Sequence, residues 1–537
     1  MTAEITLVGG GVSAGVAVGP AFFPVEPEEH EELDAAAALR ALERVGADLG
    51  RTAARLRARG RTAEAEIIEA NQLMATDPSL AADVAELAAV LPAARALDRA
   101  IERQVDLLLA LDDPLLSARA TDVRELGRRA IRALGGTIAA EPPAEPSVVV
   151  ARDVGPAELI DLGLEDGLVL GVALAEGAAT SHAAIMARAL GIPLVVGLGE
   201  SVLETTPGAA TVVDGSSGVV VLEPSPATAG RARAQLAADA ERQAALASLR
   251  GLPPVTRDGR HVWLLANAAT PVESAAALSA GAEGLGLVRT EFSFLHANDW
   301  PSATEHADAL SATLAPFDGR VVTVRTLDYG ADKTPGFLHG RGGRGIALML
   351  EHEEALRAQF EGILRAAASG LRIMLPLVES PVQVVSSRRL LAEAATTVGV
   401  RQPSLGAMIE TPAAVSVASE LALVSDFFSI GTNDLVAATL GLDRQADDIS
   451  ALRAAEPAVL DQIRNTVAAA HMRGIGVEIC GEAAGEVELV PVLIGLGVDE
   501  LSVSPSRLDA VRAAIRESSE AADEARELHD GARGVVA

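Results

Sequence analysis

The chain has almost no aromatic residues. Of its 537 residues, aromatics make up 2%, with two tryptophans and one tyrosine. Hydrophobic residues nevertheless make up 49% of the sequence, so alanine, leucine, valine and isoleucine must fill the interior. Those residue types are typical of helices and parallel strands. The composition therefore predicts an α/β protein, and the length predicts three or four domains.

Basic residues are scarce relative to acidic ones. The sequence contains 44 Lys and Arg residues against 74 Asp and Glu residues, which gives a formal net charge of −30. Nucleic acids and anionic membranes bind basic surfaces, so this charge argues against both as partners. The negative charge favours a basic protein as a partner.

Cysteine and long apolar runs are also lacking. The one cysteine, Cys480, permits no internal disulfide, as is usual in the reducing cytoplasm. No uninterrupted apolar run reaches the thickness of a bilayer, and residues 1–10 lack the basic and apolar segments of a secretion signal. We expect a soluble, cytoplasmic protein.

Hydrophobic patterning divides the first half of the chain into three parts. Residues 1–25 and 145–225 contain short strand-like runs around one helix, which predicts a small α/β domain. Residues 26–144 have helical periodicity throughout, so we predict a helical bundle inserted into that domain. Residues 226–254 form an Ala- and Arg-rich helix with little to bury, bounded by prolines, which predicts a linker helix and a hinge.

The remainder, residues 255–537, alternates apolar runs with helical stretches. Eight such strands predict a (β/α)8 barrel of the TIM type. The predicted strands are 261–265, 284–288, 321–326, 372–377, 405–409, 427–430, 476–479 and 500–503. Because chemistry in such barrels lies just beyond the C-terminal ends of the strands, the residues that follow each run are the candidates for function.

One histidine stands where a helix is predicted to begin. His182 follows Thr180 and Ser181, either of which can cap a helix that ends at Gly191. Four residues of that helix are predicted to form its apolar face: Ile185, Met186, Ala189 and Leu190. The unpaired N–H groups and the dipole at a helix N-terminus favour an anion on or beside the imidazole ring. His182 is therefore a candidate carrier of a phosphoryl group. The alternative is a capped surface histidine on an ordinary helix.

Two carboxylates follow neighbouring predicted strands of the barrel. Glu410 comes after strand five and Asp434 after strand six, so both side chains can converge on one hard cation with water and substrate oxygens. The arrangement suits Mg²⁺, with Mn²⁺ as a possible substitute. The alternative is a pair of solvated or ion-paired carboxylates.

Four cationic residues belong to the same predicted barrel mouth, in a chain that is otherwise strongly acidic. They are Arg289, Arg325, Lys333 and Arg444. Together they predict a pocket for phosphate and carboxylate groups. Single arginines at strand ends are often salt-bridge partners, and Arg444 taken alone is equally compatible with that role.

Cys480 follows the seventh predicted strand and is itself followed by Gly481 and Glu482. A thiol after an apolar strand is often a small core residue. At a barrel mouth, next to an anion held by a cation and arginines, it would instead protonate the carbon of an enolate.

These motifs, in this order, are similar to those of enzyme I of the bacterial phosphotransferase system, the phosphoenolpyruvate–protein phosphotransferase family. The resemblance covers nearly the whole chain. It rests on Thr121–Gly127, Thr180–His182 with Ile185–Arg188, Glu283–Phe292, Val324–Asp328 with Asp332 and Lys333, Met408–Ala413, Phe427–Leu435 and Cys480–Glu482.

The resemblance implies that His182 is phosphorylated by phosphoenolpyruvate, that Glu410 and Asp434 bind Mg²⁺, and that Cys480 protonates the departing enolate. It assigns phosphoenolpyruvate binding to five residues: Arg289, Arg325, Lys333, Asn433 and Arg444. It further implies transfer of the phosphoryl group to the carrier protein HPr, which docks on the helical domain. The α/β domain of a family member swivels between two sites, and the barrel domain forms a homodimer.

Three positions depart from the family pattern. Leu159 stands where a threonine often orients the active histidine, so the group that orients His182 is open. Ala347 stands where a further arginine is common, and that duty could shift to Arg344. The stretch Ile449–Pro457 is shorter than its counterpart and lacks the customary aromatic residue.

Two other functions remain as alternatives. An ATP-dependent dikinase relative, such as pyruvate phosphate dikinase, shares the histidine domain and the barrel. Residues 28–133, however, are too short and too simply helical for a nucleotide-grasp domain, and no Gly-rich phosphate loop is present. A regulatory or inactive paralogue would bind a phosphocarrier without turnover.

Overall fold

The computed structural model describes residues 4–25, 35–58, 61–110, 114–179, 181–295, 297–330, 334–338, 342–366, 369–442 and 449–519. The chain forms two compact units, which divide between Arg242 and Gln243. None of the helices in those described stretches has the length and apolar character that crossing a membrane requires.

The first unit is built on one mixed sheet of eight strands. They are β1 Ile5–Val8, β2 Gly10–Ser13, β3 Val16–Phe22, β4 Ser147–Ala151, β5 Val169–Leu174, β6 Leu194–Val196, β7 Ala210–Asp214 and β8 Val219–Leu222. In space the order is β1, β8, β7, β3, β4, β5, β6, β2. Strands β3 to β6 run parallel, and the remaining pairs are antiparallel.

Eight helices accompany this sheet. They are α1 Ala35–Ala58, α2 Thr62–Ala75, α3 Pro78–Ala88, α4 Ala93–Leu109, α5 Pro114–Leu134, α6 Pro156–Asp161, α7 His182–Leu190 and α8 Pro226–Ala247. Prolines begin α3, α5, α6 and α8 because the first helical position needs no N–H donor. Helix α8 buries only Ala229 and Ala232 among its described residues, as a linker helix would.

The helical bundle and one face of the sheet share a single apolar core. Leu97 and Leu126 of the bundle belong to the same buried cluster as Leu159, Val172 and Met186 of the α/β part. The opposite face of the sheet has a separate small core. The bundle is thus packed directly on the helices that surround His182. The domain boundaries proposed above stay a prediction.

The second unit contains a closed barrel of eight parallel strands, which confirms the predicted fold class. The strands are β9 Trp263–Ala268, β10 Gly284–Val288, β11 Val321–Arg325, β12 Leu371–Leu375, β13 Ser404–Ile409, β14 Phe427–Ile430, β15 Gly476–Ile479 and β16 Glu500–Val503. Two predicted strands are displaced. His261 bridges Val255 in a turn before β9, and Pro376 ends β12 because proline lacks the N–H that a ladder needs.

Helices surround the barrel and complete its core. They are α9 Pro271–Ser279, α10 Ala303–Leu314, α11 Gly345–Glu351, α12 Glu353–Ala366, α13 Pro381–Val398, α14 Pro412–Ser416, α15 Ala418–Leu421, α16 Thr432–Leu440, α17 Pro457–His471, α18 Val490–Gly495 and α19 Leu508–Glu517. Their apolar faces form one continuous cluster with the outward side chains of the strands. Because the eight strands are parallel, their C-terminal ends lie together at one end of the barrel, which we call the mouth.

Candidate active site

His182 is the first residue of α7, as the sequence predicts. The hydroxyl of Ser181 caps the helix by accepting the N–H of Ala184 at 3.2 Å, and Gly191 ends it in the left-handed conformation with φ 67°. Thr180, the other predicted cap, lies outside the described residues. The imidazole is thus presented at the positive end of a short, well-capped helix.

The imidazole has a carboxylate partner from the helical bundle. Nδ1 of His182 lies 2.7 Å from Oδ2 of Asp122 on α5. The Asp122 side chain is 1% exposed and that of His182 is 16% exposed. A carboxylate that accepts the Nδ1 hydrogen leaves Nε2 as a lone-pair nucleophile. Asp122 is the orienting group that the sequence analysis left open, although its motif, Thr121–Gly127, was among those that carried the resemblance.

Two neighbouring positions clarify the surroundings of the histidine. Leu159 is fully buried in the shared core, so it packs and does not orient the ring. Ile185, predicted to lie on the buried face of α7, is instead 42% exposed. The buried side of the helix carries Ala183, Ala184 and Met186, because the bundle packs against that side.

Helix α5 is held on α6 by buried charges. Glu158 accepts a hydrogen bond from Arg128 at 2.8 Å and another from Arg132. Burial alone would raise the pKa of Glu158, but the two arginines hold it below its usual value. The Glu125 carboxylate accepts the Glu158 N–H at 2.5 Å, which anchors the start of α6. This network fixes the helix that carries Asp122.

In the barrel, Glu410 follows β13 directly and is 2% exposed. Its Oε1 accepts the Leu377 N–H at 2.9 Å, and Leu377 has a φ of 51°, which is strained for a residue other than glycine. Gly431 leaves the room that Glu410 needs, since a Cβ there would lie 2.7 Å from Oε2. The carboxylate is therefore held in place by the backbone of two neighbouring loops.

Asp434 and Asn433 lie in the first turn of α16, after β14, and β14 is the neighbour of β13 in the barrel. Arg344 donates to Oδ1 of Asp434 at 3.3 Å. Asn433 accepts the Glu482 N–H at 2.9 Å. The structure thus brings Arg344 into the mouth.

Arg325 is the last residue of β11 and is 5% exposed. It donates to Glu291 at 2.6 Å and lies 3.2 Å from Asp328. Burial opposes its charge, yet the carboxylates raise the pKa of its guanidinium above the ordinary value. Arg325 is permanently cationic at the floor of the mouth.

Arg289 follows β10 and lines a cavity of about 370 Å³ together with residues that follow β9, β15 and β16. No hydrogen bond of its guanidinium is seen within the described ranges. Two other predicted cations, Lys333 and Arg444, lie outside the described residues. The cavity is large enough for a small anion with three carbon atoms.

Cys480 follows β15 and is 2% exposed. It belongs to a small interior cluster with Leu287, Met374, Met408 and Phe427. Burial, reinforced by Glu478, raises the pKa of the thiol to about 12. At neutral pH the group is a protonated acid, which is the form that a proton donor requires.

Several buried polar atoms at the mouth have no hydrogen-bond partner among the residues that the structure describes. They include Thr326 Oγ1, Asp328 Oδ1, Tyr329 Oη and Thr432 Oγ1. Unsatisfied buried polar atoms cost free energy. Their concentration beyond the strand ends is characteristic of a site that binds polar groups.

The carboxylates at the mouth have a chemistry that fits a hard divalent cation. Burial, together with the nearby Asp328 and Asp434, raises the pKa of Glu410 to about 8. A cation would relieve that repulsion. Within the described residues no three His, Cys, Asp or Glu side chains form a complete metal site. The remaining ligands would be water and substrate, as is usual for Mg²⁺.

Comparison with protein families gives three matches in series along the chain. Residues 8–119 match the N-terminal domain of PEP-utilising enzymes, residues 143–218 their mobile domain, and residues 243–520 their PEP-binding domain.

Individual relatives extend this similarity over the whole chain. The phosphoenolpyruvate-protein phosphotransferase of Streptomyces coelicolor is 38% identical over 571 residues, which cover 99% of both chains. The multiphosphoryl transfer protein of Rhodobacter capsulatus is 37% identical over 96% of this chain. The chain spans 64% of that protein and 51% of a second multiphosphoryl transfer protein, from Xanthomonas campestris.

Proposed function

Because this chain belongs to the family of phosphoenolpyruvate-protein phosphotransferases, we propose that it moves the phosphoryl group of phosphoenolpyruvate to His182 and releases pyruvate. The observation that carries the proposal is the Asp122–His182 pair, with 2.7 Å between Oδ2 and Nδ1. That contact leaves Nε2 as the attacking atom. The barrel mouth would bind the phosphoryl donor through Arg289, Arg325 and its carboxylates.

The barrel would hold the anionic substrate. Arg289 lines the cavity and Arg325 underlies the mouth, so both can receive phosphate or carboxylate oxygens. We assign the same task to Arg344, Asn433, Lys333 and Arg444. Glu410 and Asp434 would hold Mg²⁺, which would supply positive charge beside the phosphoryl and enolate oxygens. These cationic groups together would stabilise the transition state.

The chemistry then separates into two events. Nε2 of His182 forms the P–N bond as the bond between phosphorus and the enolate oxygen breaks. The enolate receives a proton at C3 from the Cys480 thiol and becomes pyruvate. Cys480 suits this task because its thiol is protonated at neutral pH and lies at the end of β15, beside the cavity wall formed by Gly481.

Onward transfer is the second part of the proposal. His182 would pass its phosphoryl group to a histidine of HPr, which would dock on the helical bundle. The same histidine must serve both reactions, so we assign a hinge to the proline-bounded segment 226–254. We further propose a cytoplasmic location, a role in sugar transport and a homodimer formed through the barrel domain.

The test is to mix the purified chain with ³²P-labelled phosphoenolpyruvate and Mg²⁺. We expect one acid-labile, base-stable phosphoryl group per chain and one equivalent of pyruvate. His182→Ala should abolish both while circular dichroism stays unchanged. Labelling of that variant on another histidine would contradict the assignment. Binding of a phosphocarrier without any labelling of the wild type would favour the regulatory alternative.

A further inference from the structure

One hydroxyl group lies against the sulfur of Cys480 inside the barrel. Ser429, on β14, is fully buried, and its Oγ donates a hydrogen bond to Cys480 Sγ at 3.2 Å. Cys480 itself belongs to an apolar interior cluster with Leu287, Met374, Met408 and Phe427. A buried hydroxyl group needs a hydrogen-bond partner. Here that partner is the thiol at the proposed site of proton transfer.

The pairing of two strands places the hydroxyl there. Ser429 of β14 pairs with Glu478 of β15, and Cys480 lies two residues beyond Glu478. Side chains two residues apart on a strand point to the same side. Ser429 is therefore one step deeper in the barrel than Cys480, and its hydroxyl approaches the sulfur from below.

The direction of this hydrogen bond matters for the thiol hydrogen. Ser429 is the donor, so the sulfur accepts from below. Among the described residues, the thiol itself donates to the Ile430 carbonyl, at 3.9 Å, a long and weak contact. The interior of the barrel thus holds the sulfur but binds its hydrogen weakly, which leaves that hydrogen available to a substrate at the mouth.

The same hydrogen bond becomes stronger when the thiol loses its proton. A hydroxyl that donates to a thiolate makes a charge-assisted bond, which is worth more than the neutral one. The groups near the sulfur shift the pKa of the thiol in opposite directions. Burial, Glu478 and Glu410 raise the pKa of Cys480, whereas Ser429 and Arg325 lower it. Ser429 is the one with a direct contact to the sulfur.

We propose that Ser429 is the positioning residue of the proton donor, orienting the Cys480 thiol towards the mouth and stabilising the thiolate that proton transfer leaves behind. In that step the S–H bond breaks and its electron pair stays on sulfur. The π electrons of the enolate form the new C–H bond at C3, and the enolate oxygen becomes the ketone of pyruvate. The inference rests on the proposed function above.

The first test is chemical and needs no substrate. Cys480 is the only cysteine of the chain, so alkylation by iodoacetamide reports on this thiol alone. Only the thiolate reacts. At pH 9 we expect Ser429→Ala to lower the alkylation rate about tenfold, the value that a hydrogen bond to a charged group implies.

A matched control is Ser274→Ala on α9. Ser274 is equally buried and also makes one hydrogen bond, to the Thr313 carbonyl at 2.6 Å. It should leave the alkylation rate unchanged. Equal rates in the two variants would overturn the proposal, and Ser429→Thr, which keeps the hydroxyl, should restore much of the wild-type rate.

The second test is kinetic. In a single turnover with phosphoenolpyruvate and Mg²⁺, Ser429→Ala should slow pyruvate formation about tenfold and leave the Kd for phosphoenolpyruvate unchanged. A loss of binding with an unchanged rate would contradict a role in proton transfer. Failure of the wild type to form pyruvate would refute the proposed function instead, while the alkylation rates would still decide the link between Ser429 and Cys480.

Discussion

The two units of this protein both bury charged side chains, but they use them differently. In the first unit, Glu158 is closed in by Arg128 and Arg132, and each charge in that group has an opposite partner. In the second unit, Glu410 lies near Asp328 and Asp434, and like charges accumulate. Among the described residues, Thr326 Oγ1 and Thr432 Oγ1 have no hydrogen-bond partner there, and in the first unit the same is true of Arg132 Nε and Nη1.

We interpret the charges of the first kind as holding the fold and those of the second kind as part of the proposed ligand site. In the network of the first unit each buried charge is compensated by an opposite charge, which contributes rigidity. An open set of carboxylates and unpaired hydroxyls is costly until a cation or anion completes it. Asp122 takes part in both, because it lies on helix α5, which the ion pairs hold in place, and contacts the imidazole of His182. The following experiments test this distinction, beginning with the largest expected effect.

Glu410→Gln should remove half of the proposed metal site without leaving a cavity. Metal ions contribute several kcal/mol to phosphoryl transfer, so labelling of His182 by phosphoenolpyruvate should fall by about a thousandfold or more. Labelling of His182 in the reverse direction, by phosphorylated HPr, should be preserved because it does not involve the barrel. An equal loss of both reactions would show that Glu410 supports the fold of the whole chain and does not act in the barrel alone.

Asp122→Asn should impair both reactions. The amide cannot stabilise the ring as a carboxylate does, and it can favour the tautomer with hydrogen on Nε2. We expect labelling by phosphoenolpyruvate and by phosphorylated HPr to fall together by about a hundredfold. Stopped-flow quench experiments with either donor measure the two rates. Loss of one reaction without the other would argue against a role in orienting His182.

Glu158→Gln tests the closed network. It leaves Arg128 and Arg132 buried without a full counter-charge, so the first unit should lose about 3 kcal/mol of stability. The control is Glu353→Gln, which removes an ion pair with Arg389 whose side chains are 49% and 52% exposed. That surface change should cost less than about 0.5 kcal/mol.

The two units can be followed separately in the same urea titration. Both tryptophans, Trp263 and Trp300, belong to the second unit, so their fluorescence reports on the barrel alone, whereas far-UV circular dichroism reports on both units. Glu158→Gln should shift the dichroism transition and leave the fluorescence transition in place. A parallel shift of both signals would contradict a local network.

The smallest expected effect concerns pH. Burial, reinforced by Glu158 and Asp122 and opposed by Arg129 and Arg128, raises the pKa of Glu125 to about 8. The unfolded chain ionises this group near pH 4.5 and the folded chain near pH 8. The stability of the first unit should therefore fall by about 1 kcal/mol per pH unit between those values. In Glu125→Gln that slope should disappear, which urea midpoints at pH 6 and 7 would measure. An unchanged slope would assign the pH dependence to another group.

Local features of this protein follow from its sequence. The start of α7 at His182, its end at Gly191 and the eight strands of the barrel depend on capping residues, glycine and hydrophobic periodicity, all of which act over a few residues. The position of Glu410, Asp434 and Cys480 beyond strand ends follows from the same patterns, since the barrel topology brings those ends together. Their catalytic roles stay predictions.

Contacts between distant residues depended on the tertiary structure. Asp122 is separated from His182 by 60 positions, Arg344 from Asp434 by 90, and Ser429 from Cys480 by 51. No local pattern encodes such a pairing, because it depends on how helices and strands pack against one another. Ile185 shows the same limit on one helix: periodicity predicts an apolar stripe on α7, but only the packing of the bundle decides which side of that helix is covered.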